Sequence, residues 1–317
     1  MKKHLSFVLR LAVSLGLLYY LFNKVPYPDL KNIYLSAQIP YIISGVMLFY
    51  ISIFLGQLRW YYILKKLSIN VKFKEVFIRY FSALFFNLFF PSIVAGDIFR
   101  GAGLTSRHGE TKKIISSVLV DRVNGAFALG LVAFIFSIFG REILLDNRVF
   151  YSVLALCILI FGGTVFLFSK HVFKISTFFI SKKSQIYKKL LGMHETLYFF
   201  RVNPLVFAKS LLCFSLPIQL LAPCAFYLFA KGFGVQASFV SIAIIVPICM
   251  AIALIPIAIA GLGIRESAVV YFFTFINIPP DISMGMSLLN GFALIFIGIL
   301  GGLFYVTLYH RCLQCDT

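Results

Sequence analysis

Long apolar runs separated by short polar and basic segments dominate the chain. Nine stretches are almost wholly apolar, at residues 5–22, 39–58, 76–90, 114–139, 149–169, 204–230, 239–255, 262–277 and 282–309. As a helix, eighteen residues extend about 27 Å, which is close to the hydrocarbon thickness of a bilayer. The pattern therefore predicts an all-α polytopic membrane protein, with residues 1–317 forming a single integral membrane domain.

The polar segments between these runs differ sharply in basic residues. Lys and Arg number six in 59–79, four in 98–113 and seven in 170–203, against two in 23–38 and two in 140–148. Basic loops collect on the cytoplasmic side of a membrane. The basic loops flanking 76–90 cannot both be cytoplasmic if that run crosses, and it extends only about 22 Å as a helix. We therefore predict a re-entrant hairpin over 76–110 that enters from the cytoplasm.

The same reasoning predicts a second re-entrant hairpin over 239–277, entering from the opposite face. Six full spans remain, at 5–22, 39–58, 114–139, 149–169, 204–230 and 282–309. Arg10 interrupts the first run and no small-residue cleavage site follows it, so we interpret it as an uncleaved span and not a signal peptide. An even number of spans places both termini in the cytoplasm, and we expect the plasma (inner) membrane as the location.

The two predicted hairpins carry the same short signature. "PSIVAGDIFR" at 91–100 and "PIAIAGLGIR" at 256–265 lie 165 positions apart. The expected break residues are Pro91, Gly96, Pro256, Gly261 and Gly263. Proline removes a backbone donor, and glycine permits conformations in which the chain can turn. One signature in two hairpins of opposite orientation predicts an inverted repeat.

Charged residues next to these breaks form the candidate binding site. It comprises Asp97, Arg100, Asp121, Arg122, Arg265 and Glu266. A charge at membrane depth costs at least about 2.5 kcal/mol, and such charges cluster on transport paths. A helix N-terminus beside an arginine favours a phosphate group. The structural alternative is that Arg100 caps a helix and that Asp121 and Arg122 form a stabilising ion pair.

Composition and charge narrow the class of partner. The chain is 61% hydrophobic and carries a net charge of +18. In a membrane protein this charge indicates contact with an anionic lipid surface, and we expect no nucleic acid partner. The basic and aromatic segment 170–203 is expected to lie on the cytoplasmic surface as an amphipathic helix. Cys312 and Cys315 form a lone C-x-x-C whose role the sequence leaves open.

Three motifs in order resemble the lysylphosphatidylglycerol synthase transmembrane family of flippase-like membrane proteins. They are "FFNLFFPSIVAGDIFR", "SSVLVDRVNGAFAL" and "PIAIAGLGIRES". Asp121 stands where the family often has Glu, and Ala95 where it often has a second Gly. The resemblance implies movement of phospholipids or lipid-linked headgroups between leaflets. Bifunctional members of the family carry an aminoacyltransferase domain after the membrane region. Since eight residues follow the last predicted span here, we expect that domain to be absent.

We therefore expect a lipid flippase or transporter, with a membrane phospholipid or lipid-linked substrate as its partner. No Walker A pattern is present, and we expect no cofactor and no metal. One alternative is an intramembrane transferase, in which Asp97 or Asp121 would be the general base. Another is a non-transporting partner subunit of a glycolipid pathway that docks through 170–203. Whether the unit is a monomer or a homodimer stays open.

Overall fold

The computed structural model of the chain describes residues 2–89, 94–140, 142, 145–178, 184–255, 258 and 261–309. Within these residues fifteen α-helices follow one another: α1 (Lys2–Lys24), α2 (Tyr27–Ser36), α3 (Ile39–Lys66), α4 (Phe73–Phe89), α5 (Val94–His108), α6 (Thr111–Phe139), α7 (Asn147–Phe168), α8 (Lys170–Ser176), α9 (Gln185–Thr196), α10 (Tyr198–Val202), α11 (Pro204–Ser210), α12 (Leu216–Gly232), α13 (Phe239–Ala253), α14 (Ile264–Phe273) and α15 (Pro280–Phe304). A π-helical turn, Leu211–Ser215, joins α11 to α12. The regular secondary structure of the described residues is wholly helical, which confirms the predicted all-α fold class.

Five helical segments of the described chain are long and apolar enough to cross a membrane. They are Ile39–Lys66, Thr111–Phe139, Asn147–Phe168, Pro204–Gly232 and Pro280–Thr307. These five coincide with five of the six predicted spans. The other predicted span, 5–22, lies in α1, which is not among the five, so it stays a prediction.

Helices α4 and α5 lie side by side in antiparallel orientation. Near the break, the Gly96 N–H donates to Asn87 Oδ1 at 2.8 Å. At the far end, His108 Nε2 lies 3.2 Å from Glu75 Oε2. These contacts hold both ends of the pair together, so α5 runs back along α4 for its whole length. Pro91 lies outside the described residues.

Gly96 has a different structural role from the predicted one. Helix α5 begins at Val94, so Gly96 lies in its first turn and not in the break. A Cβ atom on Gly96 would lie 2.3 Å from the Ala83 carbonyl oxygen of α4. Glycine is therefore required here for the close approach of two helices.

Helices α13 and α14 form a second packed pair. Between them, Gly261 and Gly263 have φ values of +72° and +85°, which residues with a Cβ atom rarely adopt. The Gly263 N–H donates to Glu266 Oε2 at 2.7 Å and so caps the start of α14. These two glycines lie where the sequence predicted a break, and Pro256 lies outside the described residues.

Two sets of four helices, α3 to α6 and α12 to α15, have matching packing partners. Helix α4 packs on α5 and α15, and α13 packs on α14 and α6. Helix α5 packs on α6 as α14 packs on α15. Between the sets, α3 and α12 run antiparallel: the Gln38 N–H donates to the Gly232 carbonyl at 2.8 Å, and Arg59 meets Ser215 near the other ends. The two sets, α3 to α6 and α12 to α15, therefore share one pattern of packing contacts.

The segment 170–203 is divided differently from the single amphipathic helix that the sequence predicted. Its described residues form three short helices, α8, α9 and α10. Phe173, Leu197 and Phe200 are buried, whereas Lys170 and Lys174 are exposed. The segment therefore folds back on itself and packs against the end of α7.

Candidate functional site

Five charged side chains from three helices form a connected group, which we call the first charge cluster. It consists of Arg59 on α3, Asp97 and Arg100 on α5, and Asp121 and Arg122 on α6. Four of these five were predicted from the sequence as site residues. Helix α5 packs against α6, the next helix along the chain, and so brings Asp97 and Arg100 close to Asp121 and Arg122.

Each aspartate of the first charge cluster binds two arginines. Asp121 accepts hydrogen bonds from Arg59 Nε at 2.7 Å and from Arg100 Nη2 at 2.8 Å. Asp97 accepts from Arg100 Nε at 3.0 Å and from Arg122 Nε at 2.5 Å. The five residues therefore form an alternating chain of bases and acids, which Arg59 and Arg122 end.

Most of the first charge cluster is buried, yet one end is accessible. Arg59, Asp97, Arg100 and Asp121 are buried, whereas the side chain of Arg122 is 45% exposed. With every side chain ionised, three arginines and two aspartates leave one positive charge in excess. An anionic ligand that reaches Arg122 would therefore meet an attractive, poorly screened field.

Arg100 occupies the centre of the first charge cluster and keeps one unsatisfied donor. Its guanidinium carbon lies 4.5 Å from the centre of the Trp60 ring and 5.3 Å from that of Tyr80. Its Nη1 atom is buried and has no hydrogen-bond partner in the described part of the chain. Unsatisfied buried donors are rare in folded proteins. This N–H is therefore a candidate contact for an oxygen atom supplied by a ligand.

The π-helical turn before α12 contacts Arg59, the buried end of the first charge cluster. Ser215 Oγ accepts from Arg59 Nη1 at 2.9 Å and donates to Asn124 Oδ1 at 2.7 Å. Asn124 Nδ2 in turn donates to Ser210 Oγ and, at 3.1 Å, to the Phe207 carbonyl. A π-turn widens the helix and turns side chains that a regular α-helix would direct elsewhere. Here it supplies the serine that holds Arg59.

Arg59 was not predicted as a site residue, because it follows the predicted span 39–58 directly and was counted among the loop cations. Helix α3 continues to Lys66, and Arg59 is therefore inside the helix. The signal was present in "RWYYILKK", where five apolar residues separate Arg59 from the lysine pair that ends the helix. Trp60 and Tyr80, which flank Arg100, carried no charge and gave no comparable signal.

Arg265 and Glu266 form a second, separate cluster at the start of α14. Arg265 donates to Glu266 Oε1 from Nε at 3.0 Å and from Nη2 at 2.5 Å. Both residues are buried. Arg265 lies against α15, where a Cβ atom on Gly291 would be 2.6 Å from its Nη2 atom. The pair carries no net charge when both side chains are ionised, because the Arg265 guanidinium binds the Glu266 carboxylate.

The six predicted site residues thus fall into two groups and not one. Four of them join the first charge cluster, while the Arg265–Glu266 pair satisfies its own charges against α15. The ion pairs of the described chain do not link the two groups. The structure therefore divides the six residues between two ionic groups, and their role in binding a ligand stays a prediction.

A further ionic group joins the start of α4 to the end of α5, and the sequence did not predict it. Glu75 is buried and lies 3.2 Å from Arg79 Nε, 3.2 Å from His108 Nε2 and 3.7 Å from Arg107 Nη1. Because one acid from α4 is shared by bases at the end of α5, this group ties the ends of the two helices. It stabilises the hairpin that carries Asp97 and Arg100.

Comparison with known proteins places the chain in a family. The sequence profile described as "Lysylphosphatidylglycerol synthase TM region" matches residues 7–302. A UPF0104 membrane protein of Methanocaldococcus jannaschii is 24% identical over 268 residues, covering 78% of each chain. A UPF0104 membrane protein of Pyrococcus horikoshii is 22% identical and covers 96% of each chain. Since the profile spans both charge clusters and almost the whole chain, the protein belongs to the lysylphosphatidylglycerol synthase TM region family.

Proposed function

We propose that this protein moves a phospholipid or lipid-linked molecule between the two leaflets of a membrane. The observation that carries the proposal is the first charge cluster, a connected chain of five charged side chains of which four are buried, with one positive charge in excess when all five are ionised. Charges are expensive inside a membrane protein, and they occur there mainly along substrate and ion pathways. Arginine binds a phosphate group, as it binds a carboxylate, through two parallel N–H donors.

Headgroup binding would proceed by exchange of ion pairs. Arg122 presents its accessible guanidinium, and a phosphate arriving there competes with the Asp97 carboxylate. Arg100 is the next base along the chain, and its free Nη1 N–H offers a further donor. Because Asp97 binds both arginines, a ligand that displaces this carboxylate would gain access to Arg122 and Arg100. The acyl chains would remain in the surrounding lipid.

The repeat in the helices suggests how the path could open to either leaflet. We propose that α4–α5 and α13–α14 are re-entrant hairpins that enter from opposite faces, with six full spans and both termini on one face. Antiparallel packing of α3 on α12 supports two halves of opposite orientation. In transporters built in this way, one half rocks against the other around a site between them. The Arg265–Glu266 pair would then be a later contact on the path.

Purified protein in proteoliposomes provides the direct test. Labelled anionic, zwitterionic and polyprenyl lipids are placed in one leaflet, and their arrival in the other is followed with time. We expect faster movement than in empty vesicles for at least one phosphate-bearing lipid, and loss of this movement with Arg100→Gln. Mass spectrometry of the recovered lipid separates relocation from the transferase alternative. A chemically altered lipid, or no movement of any lipid by folded protein, would contradict the proposal.

A further inference from the structure

A cavity of about 860 Å³ lies among α8, α9 and α10, away from both charge clusters. Its volume is within the range of small-molecule sites, which is about 300–1,000 Å³. Aromatic and apolar side chains line its inner part. Phe173 is buried and stacks on His194, with ring centres 4.1 Å apart, and Leu191 lies beside them.

The rim of this cavity is basic. The exposed Lys170 and Lys174 line it with one acid, Glu195, and the half-buried Arg201 lies deeper in the cavity. Lys170 Nζ lies 5.4 Å from the centre of the Tyr198 ring, which also borders the cavity. Among these described lining residues bases outnumber acids by three to one, so the cavity attracts an anion. The combination of an apolar interior and a basic rim matches an amphiphile with a negative headgroup.

The cavity is fixed to the end of a helix that is long and apolar enough to cross a membrane. Arg201 Nη2 donates to the Leu167 carbonyl at 2.8 Å, and His194 Nδ1 lies 3.1 Å from the same oxygen. Leu167 is in the last turn of α7, whose free carbonyls attract such donors. Arg201 Nε is buried and has no hydrogen-bond partner in the described chain. If α7 crosses a membrane, the cavity lies beside the end of this helix, at the level of the lipid headgroups.

We propose that this cavity is a binding site for one anionic phospholipid, separate from the path of lipid movement. The phosphate lies on the rim between Lys170 and Lys174, and an acyl chain follows Phe173 and Leu191 into the interior. The proposal does not rest on the proposed function, since none of these side chains contacts either charge cluster. It assigns a resident lipid to a segment that would otherwise be a general surface anchor.

The test uses the full chain in detergent and short-chain dioctanoyl lipids, with binding followed by native mass spectrometry. We expect phosphatidylglycerol to bind as a single copy and more tightly than phosphatidylcholine. The double variant Lys170→Gln/Lys174→Gln should weaken phosphatidylglycerol binding by about 10- to 30-fold, because each basic residue near the surface contributes about 1 kcal/mol. Both lysines are exposed, so the variant should fold.

The matched control is Lys65→Gln/Lys66→Gln, which removes two exposed lysines that also lie over tyrosine rings, at 5.7 Å and 5.6 Å. This control should bind phosphatidylglycerol as the wild type does. Equal weakening in both double variants would overturn the proposal in favour of diffuse electrostatic attraction. Binding of glycerophosphoglycerol or inorganic phosphate as tight as that of the lipid would also overturn it, because the occupant would then be a soluble phosphate.

Discussion

Asp121 is the residue on which the first charge cluster depends most. It is buried and accepts hydrogen bonds from two arginines, so a neutral side chain there removes the carboxylate that Arg59 binds and leaves Arg100 with Asp97 alone. We predict that Asp121→Asn destabilises the protein by about 3–5 kcal/mol, the usual effect of leaving a buried charge unpaired. The measurement is thermal unfolding in detergent, followed by intrinsic fluorescence.

The matched control is Asp146→Asn, which changes an acid in an exposed pair with Arg148. Asparagine caps a helix about as well as aspartate does, so the start of α7 stays intact. We expect its melting temperature to equal that of the wild type. An unchanged melting temperature for Asp121→Asn would show that the first charge cluster does not hold its three helices together.

His194 provides a pH-dependent prediction for the segment beside α7. Burial and the positive charge of Arg201 lower the pKa of His194 below its ordinary value of 6.5. The folded protein therefore binds fewer protons here than the unfolded chain at mildly acidic pH, and stability falls as pH drops below that ordinary value. We predict that the wild type loses more thermal stability than His194→Gln between about pH 7.5 and about pH 5.5. Identical pH profiles would contradict the prediction.

Charges were the part of the site that the sequence could predict. Asp97, Arg100, Asp121 and Arg122 stand out because a charge within an apolar run needs a reason. The ion pair that each of these residues forms depends on how α5 packs against α6. The spacing of residues along the chain does not predict this packing. Ser215 is an example, because it contacts Arg59 from a π-helical turn that the sequence did not predict.

Helix packing in this protein relies on glycines at contact points, and Gly301 on α15 is the tightest of them. A Cβ atom there would lie 2.0 Å from the Phe81 carbonyl oxygen of α4, a backbone atom that cannot move alone. We predict that Gly301→Ala forces α15 away from α4 and destabilises the protein by about 1–3 kcal/mol. Thermal unfolding in detergent measures the change.

Gly162 on α7 gives the matched comparison for Gly301. It is exposed within its helix, and a Cβ atom there would meet nothing within 4 Å. Gly162→Ala should leave stability unchanged or raise it slightly, because alanine favours the helix by about 0.5–1 kcal/mol. If both alanine variants unfold at the same temperature, close packing at Gly301 is not what joins α4 to α15.

The long apolar helices followed from the apolar runs, whereas their boundaries and the shorter polar helices such as α2 did not. Helix α3 extends beyond its predicted span to Lys66, because Trp60, Ile63 and Leu64 are buried against neighbouring helices. Helix α5 starts before Gly96 because that glycine packs on α4 and has a helical conformation. In both cases tertiary contacts, which a single sequence does not display, decided where the helix begins or ends.

The arrangement of the two halves gives a prediction about sidedness for the whole molecule. If both hairpins are re-entrant and enter from opposite faces, the ends of α4–α5 share one side of the membrane and the ends of α13–α14 share the other. We test this with single cysteines in a cysteine-free background, using the variants Lys74→Cys, Glu110→Cys, Gln236→Cys and Thr274→Cys. All four positions are exposed.

A membrane-impermeant maleimide added to sealed, oriented vesicles should label the first two variants from one side and the last two from the other. Detergent-opened vesicles provide the control, in which all four should react. Labelling of Lys74→Cys and Glu110→Cys from different sides would mean that α4 crosses the membrane. The re-entrant topology proposed for the first hairpin would then be wrong.

The central claim is that the first charge cluster receives a lipid phosphate, and Arg122 is its accessible end. The measurement that tests it most directly compares initial rates of lipid movement in proteoliposomes for Arg122→Gln and Arg148→Gln. Arg148 is likewise exposed and paired with an aspartate, but it lies outside the first charge cluster. Loss of a charge-assisted contact of about 1.5–3 kcal/mol predicts a rate about 10- to 100-fold lower for Arg122→Gln, with Arg148→Gln unchanged. Equal rates in the two variants and the wild type would contradict the account.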